Sequence, residues 1–90
     1  MKKITASIYG RVQGVGYRYY VVNAVSNNRI GGYVKNMPDG SVLVVAEGAK
    51  KQLEILIEEL KLGPTASRVD KCCVQWQPYE GSFDDFQVRA

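Results

Sequence analysis

Apolar and polar residues alternate along the first segment: Ile4, Ala6, Ile8 and Val12 fall on one parity, Lys3, Thr5, Ser7, Tyr9 and Arg11 on the other. That period of two predicts a half-buried strand from Lys3 to Val12. After a run of glycines the period changes. Tyr17, Tyr20, Val21, Ala24 and Val25 recur at helical spacing, while the valines and Asn23 keep intrinsic helix propensity middling, so packing must hold this helix. Asn27 and Asn28 are expected as turn or left-handed residues at its end. Ile30 to Asn36 then reads as a second strand and Pro38-Asp39-Gly40 as a turn. Val42 to Ala46 is nearly continuously β-branched, which predicts a central strand forming a hairpin with the one before it.

Gly48 closes that strand before a second helix, Ala49 to Leu62, with Ala49, Leu53, Leu56, Ile57 and Leu60 on its apolar face. Gly63-Pro64 is a strong stop, since glycine accepts a left-handed cap and proline cannot continue the helix. A loop to about Arg68 leads into a strand with Cys72, Val74 and Trp76 on one parity, and a last short segment puts Phe86 and Val88 on one face. Strand, helix, strand, strand, helix, strand, joined by right-handed crossovers, gives a split βαβ arrangement. The expected fold is therefore an α+β, ferredoxin-like sandwich, βαββαβ, with two helices on one face of an antiparallel sheet. Residues 1–90 are expected to form one domain.

Composition narrows what such a domain does. The net charge of +3 is modest and the signs are interspersed beyond Lys2-Lys3, which suits a small anion better than a long nucleic acid. The beginning of the chain lacks a signal-peptide core and no stretch is long enough to span a membrane, so a cytoplasmic monomer is expected. Cys72 and Cys73 are adjacent, too few and too badly placed for a disulfide framework, and read as packing residues of a strand. Histidine is absent, which removes the commonest general base and the commonest zinc ligand.

The candidate chemistry lies in Tyr9 to Arg18, Y-G-R-V-Q-G-V-G-Y-R, where a strand breaks into glycines and opens a helix. Gly14 and Gly16 allow a tight turn with N–H groups facing inward, and the helix start adds unpaired donors and partial positive charge. A phosphate fits such a place. Side chains tilt toward a helix N-terminus, so Arg18 can reach back to the same anion. By itself a glycine-rich turn is equally a plain connection; the arginine is what favours an anion site. An asparagine before Pro-Asp-Gly, as at Asn36, is ordinarily a turn residue.

A second segment changes that reading of Asn36. Gly32-Tyr33-Val34-Lys35-Asn36, followed by Gly40, Val42 and Gly48, together with Gly10 to Arg18, resembles the two signatures of the acylphosphatase family: G-x-V-Q-G-V-G-F/Y-R and G-aromatic-x-x-N-x-x-x-G-x-V. The resemblance runs over essentially the whole chain. It implies a ferredoxin-like fold and hydrolysis of the carboxyl-phosphate bond of a small acyl phosphate to carboxylate and inorganic phosphate, with no metal or organic cofactor. Carried over to this sequence, it implies that Gln13, Gly14, Val15, Gly16, Tyr17 and Arg18 cradle the phosphate, that Arg18 binds it, and that Asn36 positions the attacking water. The chain departs from the common pattern at Tyr17 for phenylalanine, Tyr33 for tryptophan, and Arg29 for a glycine at the helix exit. Asn28 or Gly31 is expected to absorb the backbone strain displaced by Arg29.

Two other classes fit less well. An RNA-binding module of this layout stacks bases on aromatics of its two central strands; Tyr9 would serve on one, but Val42 to Ala46 supplies none. A non-catalytic phosphate-binding or regulatory module is the other alternative, and the presence of both Arg18 and Asn36 favours the enzyme. Residues 77–84, with Pro78, Tyr79, Glu80 and Gly81, read either as a plain surface turn or as a wall on the acyl side of the substrate.

Overall fold

Alternation produces β1 (Lys2–Arg11), with Ile4, Ala6 and Ile8 fully buried between partly exposed Thr5 and Ser7. The computed structural model describes residues 1–26 and 28–90, so the turn expected at Asn27 falls outside the described residues. β1 is followed by α1 (Tyr17–Val25), β2 (Gly31–Asn36), β3 (Val42–Gly48), α2 (Lys50–Leu62), β4 (Arg68–Pro78) and β5 (Phe86–Arg89). The strands lie in the order β4-β1-β3-β2-β5. β1 pairs antiparallel with β3 and β4, and β2 antiparallel with β3, which is the expected ferredoxin-like sheet. The last segment extends it. β5 pairs in parallel with β2, Gly32 opposite Phe86 and Lys35 opposite Arg89, so the five-stranded sheet is mixed.

The core fills the space between one sheet face and the two helices. α1 contributes Tyr17, Val21 and Val25 at spacings of four, and α2 contributes Leu53, Leu56, Ile57 and Leu60. Burying each such aliphatic side chain contributes about 1.5–3 kcal/mol, enough to outweigh the indifferent helix propensity of α1. Ala49 is the exception to the expected stripe, being exposed and extended, as the N-cap before α2. Gly63 caps the other end at φ 71°, its N–H donating to Glu59 O at 3.0 Å. The helices are also joined by hydroxyls. Tyr17 Oη donates to Leu60 O at 2.7 Å, and Tyr20 Oη lies 2.8 Å from both Glu59 O and Glu59 Oε2.

β3 occupies the sheet centre, and that explains its unbroken apolar run. Val42, Val44 and Ala46 are fully buried toward the helices, while Val45 and Glu47 are buried on the opposite face. A carboxylate in such a strand needs partners. Glu47 accepts hydrogen bonds from the N–H groups of Glu80 at 2.8 Å, Gly81 at 3.2 Å and Ser82 at 3.0 Å. Lys3, on the neighbouring strand, pairs with Glu80, a bond that raises the lysine pKa.

The exit of α1 differs from expectation. Neither Asn28 nor Gly31 takes the left-handed backbone; Arg29 itself does, at φ 53°. Gly31 is needed for a different reason: a Cβ there would lie 2.9 Å from Phe83 Cβ, so this glycine provides space, not turning freedom.

Candidate active site

Three local features converge at one end of the sheet. β1 ends in a turn whose glycines, Gly14 and Gly16, stand at φ 73° and 79°. A Cβ at either would meet no atom within 4 Å, so it is the left-handed backbone, not crowding, that requires glycine. Between them Val15 packs against the core and anchors the turn. Gly16 is the N-cap of α1, with no side-chain cap bond and no acidic residue in the first turn, which leaves the helix donors and its positive end available to an anion.

The third feature comes from β2. Asn36 shares strand parity with Val34, whose side chain is fully buried toward the helices, so Asn36 is directed to the same side at the strand end. There Gly14, Gly16, Arg18 and Asn36 line one small cavity of about 90 Å³, closed by Val12 and flanked by exposed Tyr19. Among the described residues no carboxylate lines it. Arg18 is partly buried and, among the described residues, forms no ion pair. Asn36 Oδ1 is buried and, among the described residues, accepts no hydrogen bond. Buried polar atoms are seldom left so, and this acceptor is suited to a water or hydroxyl donor in the cavity.

The other residues of the loop are committed elsewhere through their side chains. Gln13 Nε2 donates to Met37 O at 2.8 Å and Ser41 O at 2.9 Å, so only its backbone can face an anion. The Tyr17 ring lies in the core with its hydroxyl on Leu60 O, and burial raises its pKa. Residues 77–84 are not part of this place. The amides of Glu80, Gly81 and Ser82 are tied to Glu47 near the start of β1, where Lys3 faces Glu47, whereas the cavity lies beyond the other end of that strand. The reading of this loop as a wall on the acyl side is thereby corrected. A wider groove of about 680 Å³ lies between Lys2, Lys50, Glu54 and Trp76, but its charges are mixed and none of the loop donors reaches it.

The acylphosphatase family model matches residues 4–88. The chain belongs to the acylphosphatase family. It is 46% identical over 76 residues to an acylphosphatase of Thermus thermophilus, covering 84% of this chain and 86% of that one. An acylphosphatase of Syntrophotalea carbinolica is 39% identical over 87 residues, covering 97% and 95%. The crystal structure of acylphosphatase from Bacillus subtilis superposes with a TM-score of 0.95 at 32% identity, covering all of both chains. The protein is thus a hydrolase of small acyl phosphates that releases phosphate. The side-chain commitments of Gln13 and Glu47 were not foreseen from the sequence. For Glu47 a signal existed, since an acid within a β-branched central run must find donors; for Gln13 none did.

Proposed function

We propose that the backbone of Gln13 to Tyr17 and the guanidinium of Arg18 hold the substrate phosphate, and that Asn36 orients the water that attacks phosphorus. The observation carrying this assignment is the shared cavity, in which the free cation of Arg18, the glycine turn and the unpartnered Asn36 Oδ1 meet. The water oxygen forms a bond to phosphorus as the bond to the acyl oxygen breaks, and its electrons leave with the carboxylate. A carboxylate is a weak base and leaves without protonation. The proton of the water passes to a phosphate oxygen, so no titrating side chain is needed. Catalysis then rests on positioning and on donors fixed around the phosphoryl group. The free thiols Cys72 and Cys73 support a reducing compartment, and we place the protein in the cytoplasm.

Hydrolysis of benzoyl phosphate in a chelator tests the assignment. Arg18→Gln should weaken phosphate binding by roughly 1.5–3 kcal/mol, about ten- to a hundredfold, and lower turnover as well. Asn36→Ala should lower turnover while phosphate inhibition is preserved. Wild-type turnover in either folded variant would remove that residue from its role.

A further inference from the structure

Gln13 joins the two halves of the site through its side chain. It stands immediately before the glycine turn, and its single amide nitrogen spans Met37 O and Ser41 O, at 2.8 and 2.9 Å. Met37 follows Asn36 directly, and its N–H, which belongs to the peptide leaving the asparagine, donates to Ser41 O, the second carbonyl that the Gln13 amide holds. Both acceptors already serve the turn itself: Met37 O takes the Gly40 N–H at 3.1 Å, and Ser41 O takes the Met37 N–H at 2.9 Å. Each carbonyl has two lone pairs, and the Gln13 amide occupies what the turn leaves over. Asp39 Oδ1 holds the same turn from its other side, accepting from Ser41 N at 2.9 Å and Ser41 Oγ at 2.6 Å.

We infer that Gln13 is a positioning residue that fixes Asn36 relative to the phosphate cradle, setting turnover without binding the phosphate through its side chain. Resting on the proposed roles of the cradle and Asn36, the inference adds a coupling between them. The β1–β3 ladder holds the hairpin carrying Asn36 as far as Ile8 opposite Val42, but beyond it the cradle turns on two left-handed glycines, so the placement of the cradle against the hairpin turn needs a tie. Among the described residues, the Gln13 amide supplies the side-chain hydrogen bonds from the cradle to this turn. Because both carbonyls retain a partner when the amide is removed, the tie can be lost without stranding a buried acceptor. Geometry should therefore suffer more than stability.

Two variants test this beside the wild type, with benzoyl phosphate as substrate and inorganic phosphate as inhibitor. Gln13→Ala should lose about ten- to a hundredfold in kcat, the scale of an ångström-sized misplacement, with phosphate inhibition unchanged. Hydrogen exchange at the Met37 and Gly40 amides should quicken in the same variant. Gln13→Glu keeps the length but, when ionised, sets an oxygen against two carbonyl oxygens. Repulsion holds its pKa above the ordinary value of about 4.3, and once protonated it can donate to one carbonyl. Its kcat relative to wild type should fall below that of Gln13→Ala at neutral pH and recover in acid, a reversible change within one folded protein. A wild-type kcat in Gln13→Ala, or a loss confined to phosphate affinity, would overturn the inference while leaving the proposed site standing. No hydrolysis by the wild type would overturn the proposed site and this coupling together.

Discussion

Arg29 holds an exposed side chain on a left-handed backbone at φ 53°, a conformation in which its Cβ crowds the following carbonyl. Glycine avoids that crowding but loses more chain entropy on folding, so the two terms oppose each other. The steric term, about 1–2 kcal/mol, exceeds the entropic one, about 0.4–1 kcal/mol. Arg29→Gly is therefore expected to stabilise the fold by about 0.5–1 kcal/mol, raising the urea midpoint with an unchanged slope. A lower midpoint would mean that the arginine side chain contributes more than its backbone costs. In the sequence, position 29 stands out as the departure, yet the strain is expected at its neighbours Asn28 or Gly31, whereas Arg29 itself carries it. Which of several adjacent residues bends depends on how the flanking strand is seated, and that is fixed by contacts such as Phe83 against Gly31. Asn36 shows the same limit. Alone it reads as a turn residue, and its buried acceptor acquires meaning only when α1 and the glycine turn are brought beside it.

At the scale of elements, periodicity marks β1 to β4, both helices and the faces of most, because alternation and helical spacing are local properties; the expected βαββαβ order does not include β5. Partner choice is not local. Phe86 and Val88 share one face of a segment of four residues, too short to announce a fifth strand or its parallel pairing with β2. The loop before it is held by Glu47, whose carboxylate gathers three amides, and that tether is what brings β5 to the sheet edge. Glu47→Ala removes three bonds to a charged acceptor; the freed amides lie in an exposed loop and regain water, so a net loss of about 2–3 kcal/mol is expected. The loss should be local in the first instance. Amides of β5 and the Gly32 N–H, which donates to Asp85 O at 2.8 Å, should exchange faster than those of β1 and β3. Uniform acceleration across all strands would mean that the tether acts on the fold as a whole.

Across the whole molecule the sheet carries the helices, but the helices are fastened to each other by tyrosine hydroxyls, and this ties stability to alkaline pH. Burial raises the pKa of Tyr17, while burial and then the bond to Glu59 push Tyr20 up to about 12. Unfolded tyrosine titrates near 10. Both folded values lie above the unfolded one, so this contribution is fully present below about pH 10 and is lost as pH rises through the folded values, about 12 for Tyr20. In that window the unfolded chain releases protons that the native protein keeps. Each retained proton lowers unfolding free energy by up to about 1.4 kcal/mol per pH unit, approached by buried Tyr17 and reduced for partly exposed Tyr20. Replacing both by phenylalanine removes two hydroxyl bonds, at about 0.5–1.5 kcal/mol each, and lowers stability at pH 8. Between pH 10 and 12 the variant should lose less than the wild type, so their urea midpoints should converge. Lysines and surface ion pairs titrate alike in both proteins, and the difference isolates the tyrosines. Parallel loss in the two proteins would mean that these hydroxyls ionise as freely in the native state as in the unfolded chain.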